Sequence, residues 1–211
     1  MAARKIIIDT DPGQDDAFAI LFALGSPELD VLALTTVGGN VPLALTSRNA
    51  QQIVELAGRS DVPVHAGCPR PMVRQLKTAE YVHGPTGIDG CVLPEPSVPL
   101  QEKHAIHFLV DTLMAAPEGE ITVCTLGPMT NLGMAMVMEP RIIPRIREVV
   151  LMGGGFFEGG NATPAAEFNI WVDPHAASVV FDSGAPVTMA GIDCTYSAQM
   201  TPGWLQALRA L

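Results

Sequence analysis

The chain has 211 residues, of which 48% are hydrophobic and 16% are charged, and its formal net charge is −10. This composition is sufficient for a large buried core, and the length favours one domain, with two small domains as the alternative. The acidic balance and the lack of a Lys/Arg-rich run argue against nucleic acid or an anionic membrane as a partner.

The amino-terminal residues lead directly into an apolar segment, without the hydrophobic region of a signal peptide. No apolar run reaches the roughly eighteen residues that a membrane helix needs. The cysteines are widely spaced and contain no C-x-x-C pair, so a zinc site is not predicted. We therefore expect a soluble, cytoplasmic protein.

Apolar, strand-like segments alternate with helical patterns along the chain. The predicted strands are 5–9, 31–37, 62–65, 121–126, 148–152 and 187–192. The predicted helices are 15–24, 42–57, 103–115, 129–138, 175–182 and 202–211. Nearly continuous apolar strands separated by helices are typical of a parallel sheet covered on both faces. The predicted class is therefore α/β, with a mostly parallel, Rossmann-like central sheet.

Residues 69–99 interrupt this alternation. The segment is rich in proline and glycine, is weakly periodic, and is unusually long for a loop in a compact domain. We interpret it as a flap within a single domain that covers residues 1–211.

Four carboxylates stand within eight residues at the end of the first predicted strand, in the motif DTDPGQDDA of residues 9–17. Acidic residues suit a helix N-terminus, which accounts for one or two of them. Four acids at one strand end repel one another unless a cation or shared protons relieve the repulsion. A helix cap with solvated acids remains the alternative to a Ca²⁺ or Mg²⁺ site.

Small and polar residues also follow the other predicted strands, and parallel α/β sheets bind ligands at the carboxyl ends of their strands. Asn40 is predicted either to cap the next helix or to reach toward the acidic cluster. Glu167 and Asn169 are two residues apart and, on an extended segment, would face one pocket, where they suit a hydroxyl-rich ligand. An ordinary polar loop is the alternative. His83, in the presumed flap, is the histidine best placed to touch a ligand, and a loop histidine without a role is the more common alternative.

Several classes of chemistry lack their motifs. There is no G-x-S-x-G motif, no Cys/His nucleophile pair and no Walker or G-x-G-x-x-G pattern. The chemistry, if there is any, is therefore predicted to use water activated by a carboxylate and a metal ion. A divalent cation bound by Asp11, Asp15 and Asp16 would lower the pKa of that water, and one aspartate would take its proton.

The sequence resembles the nucleoside hydrolases, the inosine-uridine preferring enzymes and their ribonucleoside hydrolase relatives. The resemblance starts at residues 9–17 and extends over essentially the whole chain. The other matching motifs are TTVGGN at 35–40, Arg48-Asn49-Ala50, VHG at 82–84, GPMTNL at 127–132, VLMGGG at 150–155, NAT at 161–163 and EFN at 167–169.

This resemblance implies hydrolysis of the N-glycosidic bond of ribonucleosides to ribose and free base by a Ca²⁺-bound water. It implies that Asp11 is the general base and that Asp11, Asp15, Asp16 and the backbone carbonyl of Leu126 ligate Ca²⁺. The residues implied to bind substrate are Asn40, His83, Met152, Asn161, Glu167 and Asn169. His83 would lie near the base, and the others would hold or line the ribose. A homodimer or homotetramer is also implied.

Members of this family are longer, and their C-terminal portion supplies another calcium-ligating aspartate and often a histidine that protonates the leaving base. We expect no residue up to Leu211 to take those roles. Two other hypotheses stay open on the residues alone. One is a catalytically inert ribose- or nucleoside-binding relative. The other is a Mg²⁺-dependent phosphohydrolase of the haloacid-dehalogenase type, suggested by Asp9-Thr10-Asp11 after a strand.

Overall fold

The computed structural model describes residues 2–210. Within this range the strands are β1 (Arg4–Thr10), β2 (Leu29–Thr36), β3 (Val64–Ala66), β4 (Leu100–Gln101), β5 (Ile121–Thr125), β6 (Ile146–Met152) and β7 (Val187–Ala190). They form one sheet in the order β4-β3-β2-β1-β5-β6-β7, and each neighbouring pair is parallel. This confirms the predicted α/β class with a parallel central sheet.

Helices follow most of the strands. They are α1 (Gln14–Gly25), α2 (Leu43–Leu56), α3 (Glu80–His83), α4 (Ala105–Ala115), α5 (Thr130–Met138), α6 (Phe168–Val172), α7 (Pro174–Asp182), α8 (Ile192–Thr195) and α9 (Pro202–Arg209), with a 3₁₀ helix at Pro140–Arg145. Among the described residues, no helix combines the length and the apolar character needed to cross a membrane.

Strand β1 lies in the middle of the sheet and is buried on both faces. Ile6 and Ile8 belong to a core that includes side chains of α1 and α2. Ile7 points the other way, into a core that includes side chains of α4, α5 and α7. This alternation explains why a centrally placed strand is apolar at three successive positions.

The structure corrects several predicted elements. The last predicted strand ends at Ala190, because Gly191 caps a short helix that starts at Ile192. Strand β4 has only two residues, too few for a recognisable alternation of side chains. Phe168 and Asn169 lie in α6 instead of on an extended segment, and Glu167, whose own backbone is extended, caps this helix. The end of the predicted helix 202–211 includes Leu211, which lies outside the described residues.

The segment 69–99 contains α3 and is otherwise irregular in the structure. It runs along α2, where Gln52 donates to the backbone carbonyl of Pro94 (2.7 Å) and Arg48 pairs with Glu95. Its movement as a flap stays a prediction.

The direction in which the chain adds strands reverses between β1 and β5. From β1 the chain passes to β2 on one side, whereas β5 pairs with the other side of β1. The loops after β1 and β5 therefore leave the sheet in different directions. In open α/β sheets such a switch point, at the carboxyl ends of the strands, is where ligands bind.

Candidate active site

Asp11 lies at this switch point and is completely buried. Its Oδ2 atom accepts a hydrogen bond from the backbone N–H of Asn40 (2.7 Å). In return, Asn40 Nδ2 donates to the backbone carbonyl of Asp11 (3.0 Å). The loops after β1 and β2 are thus joined by two reciprocal hydrogen bonds. Asn40 does not cap α2, since the residue at the cap is Pro42.

Two glycines from different loops make room for the Asp11 carboxylate. A Cβ atom at Gly39 would overlap Oδ2, and one at Gly127 would overlap Oδ1. Among the described residues, Oδ1 of Asp11 is buried and has no hydrogen-bond partner. An unpartnered buried carboxylate oxygen is costly, and a proton or a cation at Oδ1 would relieve that cost.

Asp16 lies beside Asp11 in the first turn of α1. Its Oδ1 atom accepts from the Thr10 hydroxyl (2.8 Å), and its Oδ2 atom accepts from the backbone N–H of Gly13 (3.0 Å). Asn40 Nδ2 approaches the same Oδ2 at 3.4 Å. Asp15, in contrast, is exposed at the start of the helix. The helix-capping role expected for some of these acids therefore belongs to Asp16.

Burial and mutual repulsion raise the pKa values of the two buried acids. Burial raises the pKa of Asp11 well above its ordinary value, and the charges of Asp16 and Asp15 raise it further. Burial, followed by the charge of Asp15, raises the pKa of Asp16 to about 7. Because each cause penalises the ionised form, a cation placed here would be favoured electrostatically.

The structure does not assemble the three predicted calcium-binding carboxylates into one shell. Among residues 2–210, no group of three or more His, Cys, Asp or Glu side chains is arranged to hold a metal ion. The reason is local: Asp16 turns inward to Thr10 and Gly13, whereas Asp15 faces solvent. The available donors are nevertheless oxygen atoms, including the free Oδ1 of Asp11, and this chemistry fits a hard cation.

Asn169 connects the carboxyl ends of β5 and β6. Its Nδ2 atom donates to the backbone carbonyls of Leu126 (2.8 Å) and Met152 (3.1 Å) and approaches the Met152 sulfur at 3.4 Å. The predicted ligand carbonyl and two predicted ribose-contacting residues therefore lie together.

Glu167 is buried and binds two backbone segments. Its Oε2 atom accepts from the N–H groups of Gly154 (3.0 Å) and Ile170 (3.2 Å). Burial raises its pKa, although these hydrogen bonds oppose the shift. Asn161 Oδ1 accepts from the backbone N–H of Phe168 (2.8 Å), next to Glu167. Asn161 and Glu167 are therefore both held at the start of α6.

His83 is tied to the acidic motif by Gln14, which the sequence analysis did not single out. The His83 Nδ1 atom lies 2.6 Å from Gln14 Oε1, and Gln14 Nε2 donates to the backbone carbonyls of His83 (3.1 Å) and Asp89 (3.2 Å). Burial lowers the pKa of His83, while the charge of Asp15 opposes that shift. The position of Gln14 inside the motif was the available signal.

Asp9, near the end of β1, is a further buried carboxylate. Asp9 Oδ1 accepts from the Thr35 hydroxyl (2.5 Å) and from Asn131 Nδ2 (2.8 Å), and burial raises the pKa of Asp9 to about 6. Asn131 Oδ1 also accepts from the backbone N–H of Cys68 (2.8 Å). These contacts join the ends of β1, β2 and β3 to α5.

A surface depression of about 1050 Å³ lies at the opposite edge of the sheet. Its walls carry both signs of charge, from Arg4, Lys5, Arg147, Glu28 and Glu120. It lies at the amino ends of the strands, which is not the edge where parallel sheets bind ligands. The buried acids at the carboxyl edge are therefore the better candidate site.

Comparison with known proteins identifies the family. A model of the inosine-uridine preferring nucleoside hydrolases matches residues 6–211. The inosine-uridine preferring nucleoside hydrolase of Crithidia fasciculata is 48% identical over 98% of this chain and 65% of its own length. The pyrimidine-specific ribonucleoside hydrolase RihA of Photobacterium profundum is 46% identical over 99% of this chain and 67% of its own length.

The fold agrees with the sequence match. The solved structure of the plant nucleoside hydrolase PpNRh1 superposes with a TM-score of 0.84 and 42% identity, covering 90% of this chain and 60% of that one. This chain thus spans about two thirds of the length of the curated relatives that it matches. The motif resemblance is confirmed, and the chain belongs to the inosine-uridine preferring nucleoside hydrolase family.

Proposed function

We propose that this chain carries the catalytic residues of a ribonucleoside hydrolase, which cleaves the N-glycosidic bond to give ribose and the free base. Family membership supports this reaction class. The observation that carries the proposal is the buried, unpartnered Oδ1 of Asp11 at the switch point of the sheet. The activity of the whole protein is part of the proposal, because the chain covers about two thirds of its relatives.

Asp11 is the proposed general base. A base works best when its pKa is near the operating pH, and burial raises the pKa of Asp11 in that direction. Oδ2 is held by the backbone N–H of Asn40, so the carboxylate has a defined orientation. Oδ1 is then available to accept the proton of the attacking water.

Ca²⁺ is the proposed cofactor, and its proposed ligands are Asp11, Asp15, Asp16 and the backbone carbonyl of Leu126. Binding would require the Asp15 side chain to turn from solvent toward the two buried acids. All of these donors are oxygen atoms, which Ca²⁺ prefers. The hydrogen bonds that Asp16 accepts would fix its carboxylate, and its remaining lone pairs would stay available to the ion. When bound, a divalent cation lowers the pKa of water and orients a diol.

Asn40, Asn161, Glu167 and Asn169 are the proposed contacts to the ribose hydroxyls, with Met152 lining the sugar pocket. Carboxamides and a carboxylate together offer donors and acceptors, which a diol requires. Cleavage of a glycosidic bond develops positive charge on the sugar, and the buried carboxylates would stabilise that charge. His83 is proposed to lie near the base.

The remaining proposals concern the whole protein. We propose that residues 1–211 fold as one domain with a flap at 69–99. We also propose a homodimer or homotetramer in the cytoplasm, without nucleic-acid or membrane partners. Size-exclusion chromatography with light scattering tests the oligomeric state, and a monomer would contradict this part.

The central test is ribose release from inosine, uridine and cytidine, assayed with added Ca²⁺ or with a chelator. Wild type should release ribose only when Ca²⁺ is present. Asp11→Asn keeps the shape of the side chain and an acceptor for Asn40, but it removes the base. We expect a loss of about 10²- to 10⁴-fold in kcat. Asp182→Asn, on the exposed surface of α7, is the matched control and should retain wild-type activity.

Three outcomes would contradict the proposal. Ribose release that is insensitive to the chelator would rule out the proposed role of the cation. Ribose release retained in Asp11→Asn would rule out Asp11 as the general base. Ribose binding without release would favour the inert, ribose-binding relative. A generic phosphate ester included in the assay addresses the phosphohydrolase hypothesis, since liberated phosphate would support it.

A further inference from the structure

The Asp193 side chain binds three consecutive backbone N–H groups of a distant loop. Its Oδ2 atom accepts from Phe156 (2.7 Å), and its Oδ1 atom accepts from Phe157 (2.7 Å) and Glu158 (3.1 Å). These contacts span 35 to 37 residues of sequence. They lower the pKa of Asp193, so the group is the ionised carboxylate at neutral pH. Hydrogen bonds to an ionised acceptor are stronger than neutral ones.

Packing contributes little to holding this loop. Phe156 and Phe157 are 77% and 87% exposed. Their rings lie edge to face, with centroids 4.6 Å apart. Two exposed aromatic side chains do not bury enough apolar surface to order a loop. The carboxylate of Asp193 is therefore the principal restraint at residues 156–158.

The base of the loop is attached to the same strand-to-helix turn by its backbone. Gly153 N–H donates to the carbonyl of Ala190 (3.3 Å), and Ile192 N–H donates to the carbonyl of Gly154 (2.9 Å). The region around Gly191 leaves no room for a larger residue, because a Cβ there would lie 2.9 Å from the Gly154 carbonyl oxygen. The turn 190–193 and the loop thus form one connected unit.

The same loop also holds the proposed ribose-binding residues. Gly154 N–H donates to Glu167 Oε2 (3.0 Å), two residues before the first N–H bound by Asp193. At its other end the loop leads to Asn161, whose side chain accepts from Phe168 N–H (2.8 Å). A displacement of residues 156–158 would therefore be transmitted toward both side chains.

We infer that Asp193 is a positioning residue, which fixes the loop of residues 153–161 and thereby places Glu167 and Asn161 for a ribose-containing ligand. This inference rests on the proposed function. Asp193 does not touch the ligand itself. It acts through the backbone of the loop.

The first test measures the order of the loop without any reference to activity. Chymotrypsin cleaves after phenylalanine. Cleavage after Phe156 or Phe157 therefore reports how well ordered the loop is at the position that Asp193 binds. The variants are Asp193→Ala, which removes all three contacts, and Asp193→Asn, which keeps one carbonyl acceptor. Asp182→Asn on α7 is the control. We expect cleavage in the folded protein to be about tenfold faster in Asp193→Ala, with Asp193→Asn intermediate and the control unchanged.

The second test measures the position of the ribose-binding residues. In the ribose-release assay, Asp193→Ala should raise KM about tenfold and change kcat less than about threefold, because only substrate placement is affected. Asp193→Asn should recover part of the loss in KM. A purely structural role would instead lower the melting temperature and reduce the active fraction, leaving KM unchanged.

Equal cleavage rates in wild type and Asp193→Ala would show that Asp193 does not order the loop, whatever the activity of the protein. Faster cleavage with an unchanged KM would overturn the positioning role and leave a structural tether. If wild type releases no ribose, the proposed function fails and the positioning role fails with it. The cleavage rates then still decide whether Asp193 orders the loop. Should Asp193→Ala not fold, Asp193→Asn carries both measurements.

Discussion

Replacement of Gly127 by alanine tests whether the space around Asp11 is required for chemistry. The new Cβ atom would overlap Asp11 Oδ1 and would lie 3.1 Å from the Asp11 backbone nitrogen. Asp11 is completely buried, and its other oxygen is held by Asn40 at 2.7 Å. The carboxylate therefore cannot yield without losing that hydrogen bond. Overpacking of this kind destabilises a protein by about 1–3 kcal/mol.

The substitution should reduce activity as well as stability. A shift of about 1 Å in a catalytic group is enough to reduce the rate about 100-fold. We therefore expect kcat/KM for ribose release to fall about 100-fold in Gly127→Ala. Gly25→Ala is the matched control, because a Cβ at this last residue of α1 meets no atom within 4 Å. It should retain full activity and be neutral or slightly stabilising.

The measurements are kcat/KM from ribose release and the free energy of unfolding from urea titration, made on both variants. If Gly127→Ala matched Gly25→Ala in kcat/KM, the space that glycine leaves around the Asp11 carboxylate would not be required for catalysis. A variant destabilised as expected, with unimpaired kcat/KM, would separate packing from chemistry and refute the reasoning.

Two further predictions concern the cation and the pH. Ca²⁺ at 100 times its Kd should raise the free energy of unfolding of wild type by about 2.7 kcal/mol, and Asp11→Asn should remove most of this gain in thermal denaturation. Burial lowers the pKa of His65 below its ordinary value of 6.5, so the unfolded chain takes up a proton more readily than the folded protein. This contribution to stability is present above pH 6.5 and is lost as the pH falls through the lower, folded-state pKa. Urea titrations in chelator should show a smaller loss on acidification in His65→Gln, and an equal loss in both proteins would contradict the assignment.

The layered fold was predictable because its signals are local. The run Ile6-Ile7-Ile8 is apolar at every position, which indicates a strand buried on both faces, and the two cores on either side of β1 agree with that. Short elements were not predicted, because they carry too little local signal. Strand β4 pairs with β3 through only two residues, Leu100 and Gln101, and its existence depends on the neighbouring strand.

The edge of the sheet that carries the candidate site was also predictable, but the partner of each side chain was not. Asn40 shows this difference. Its sequence position allowed either a helix cap or a contact with the acids, and both are chemically sound for an amide. Only the placement of the loop after β2 beside Asp11 decides between them, and that placement is a long-range property.

The free oxygen of Asp11 arises from residues that are remote in sequence. Gly39 follows β2 and Gly127 follows β5, and each alone is an ordinary loop glycine. The parallel sheet brings both loops beside the end of β1, where the absence of two side chains leaves space for one carboxylate. The protein thus bears the cost of a buried, unpartnered oxygen in a space that no side chain at either glycine position could share. That cost is intelligible if the oxygen is reserved for a proton or a cation, and this is the assumption that Gly127→Ala and the Ca²⁺ titration test separately.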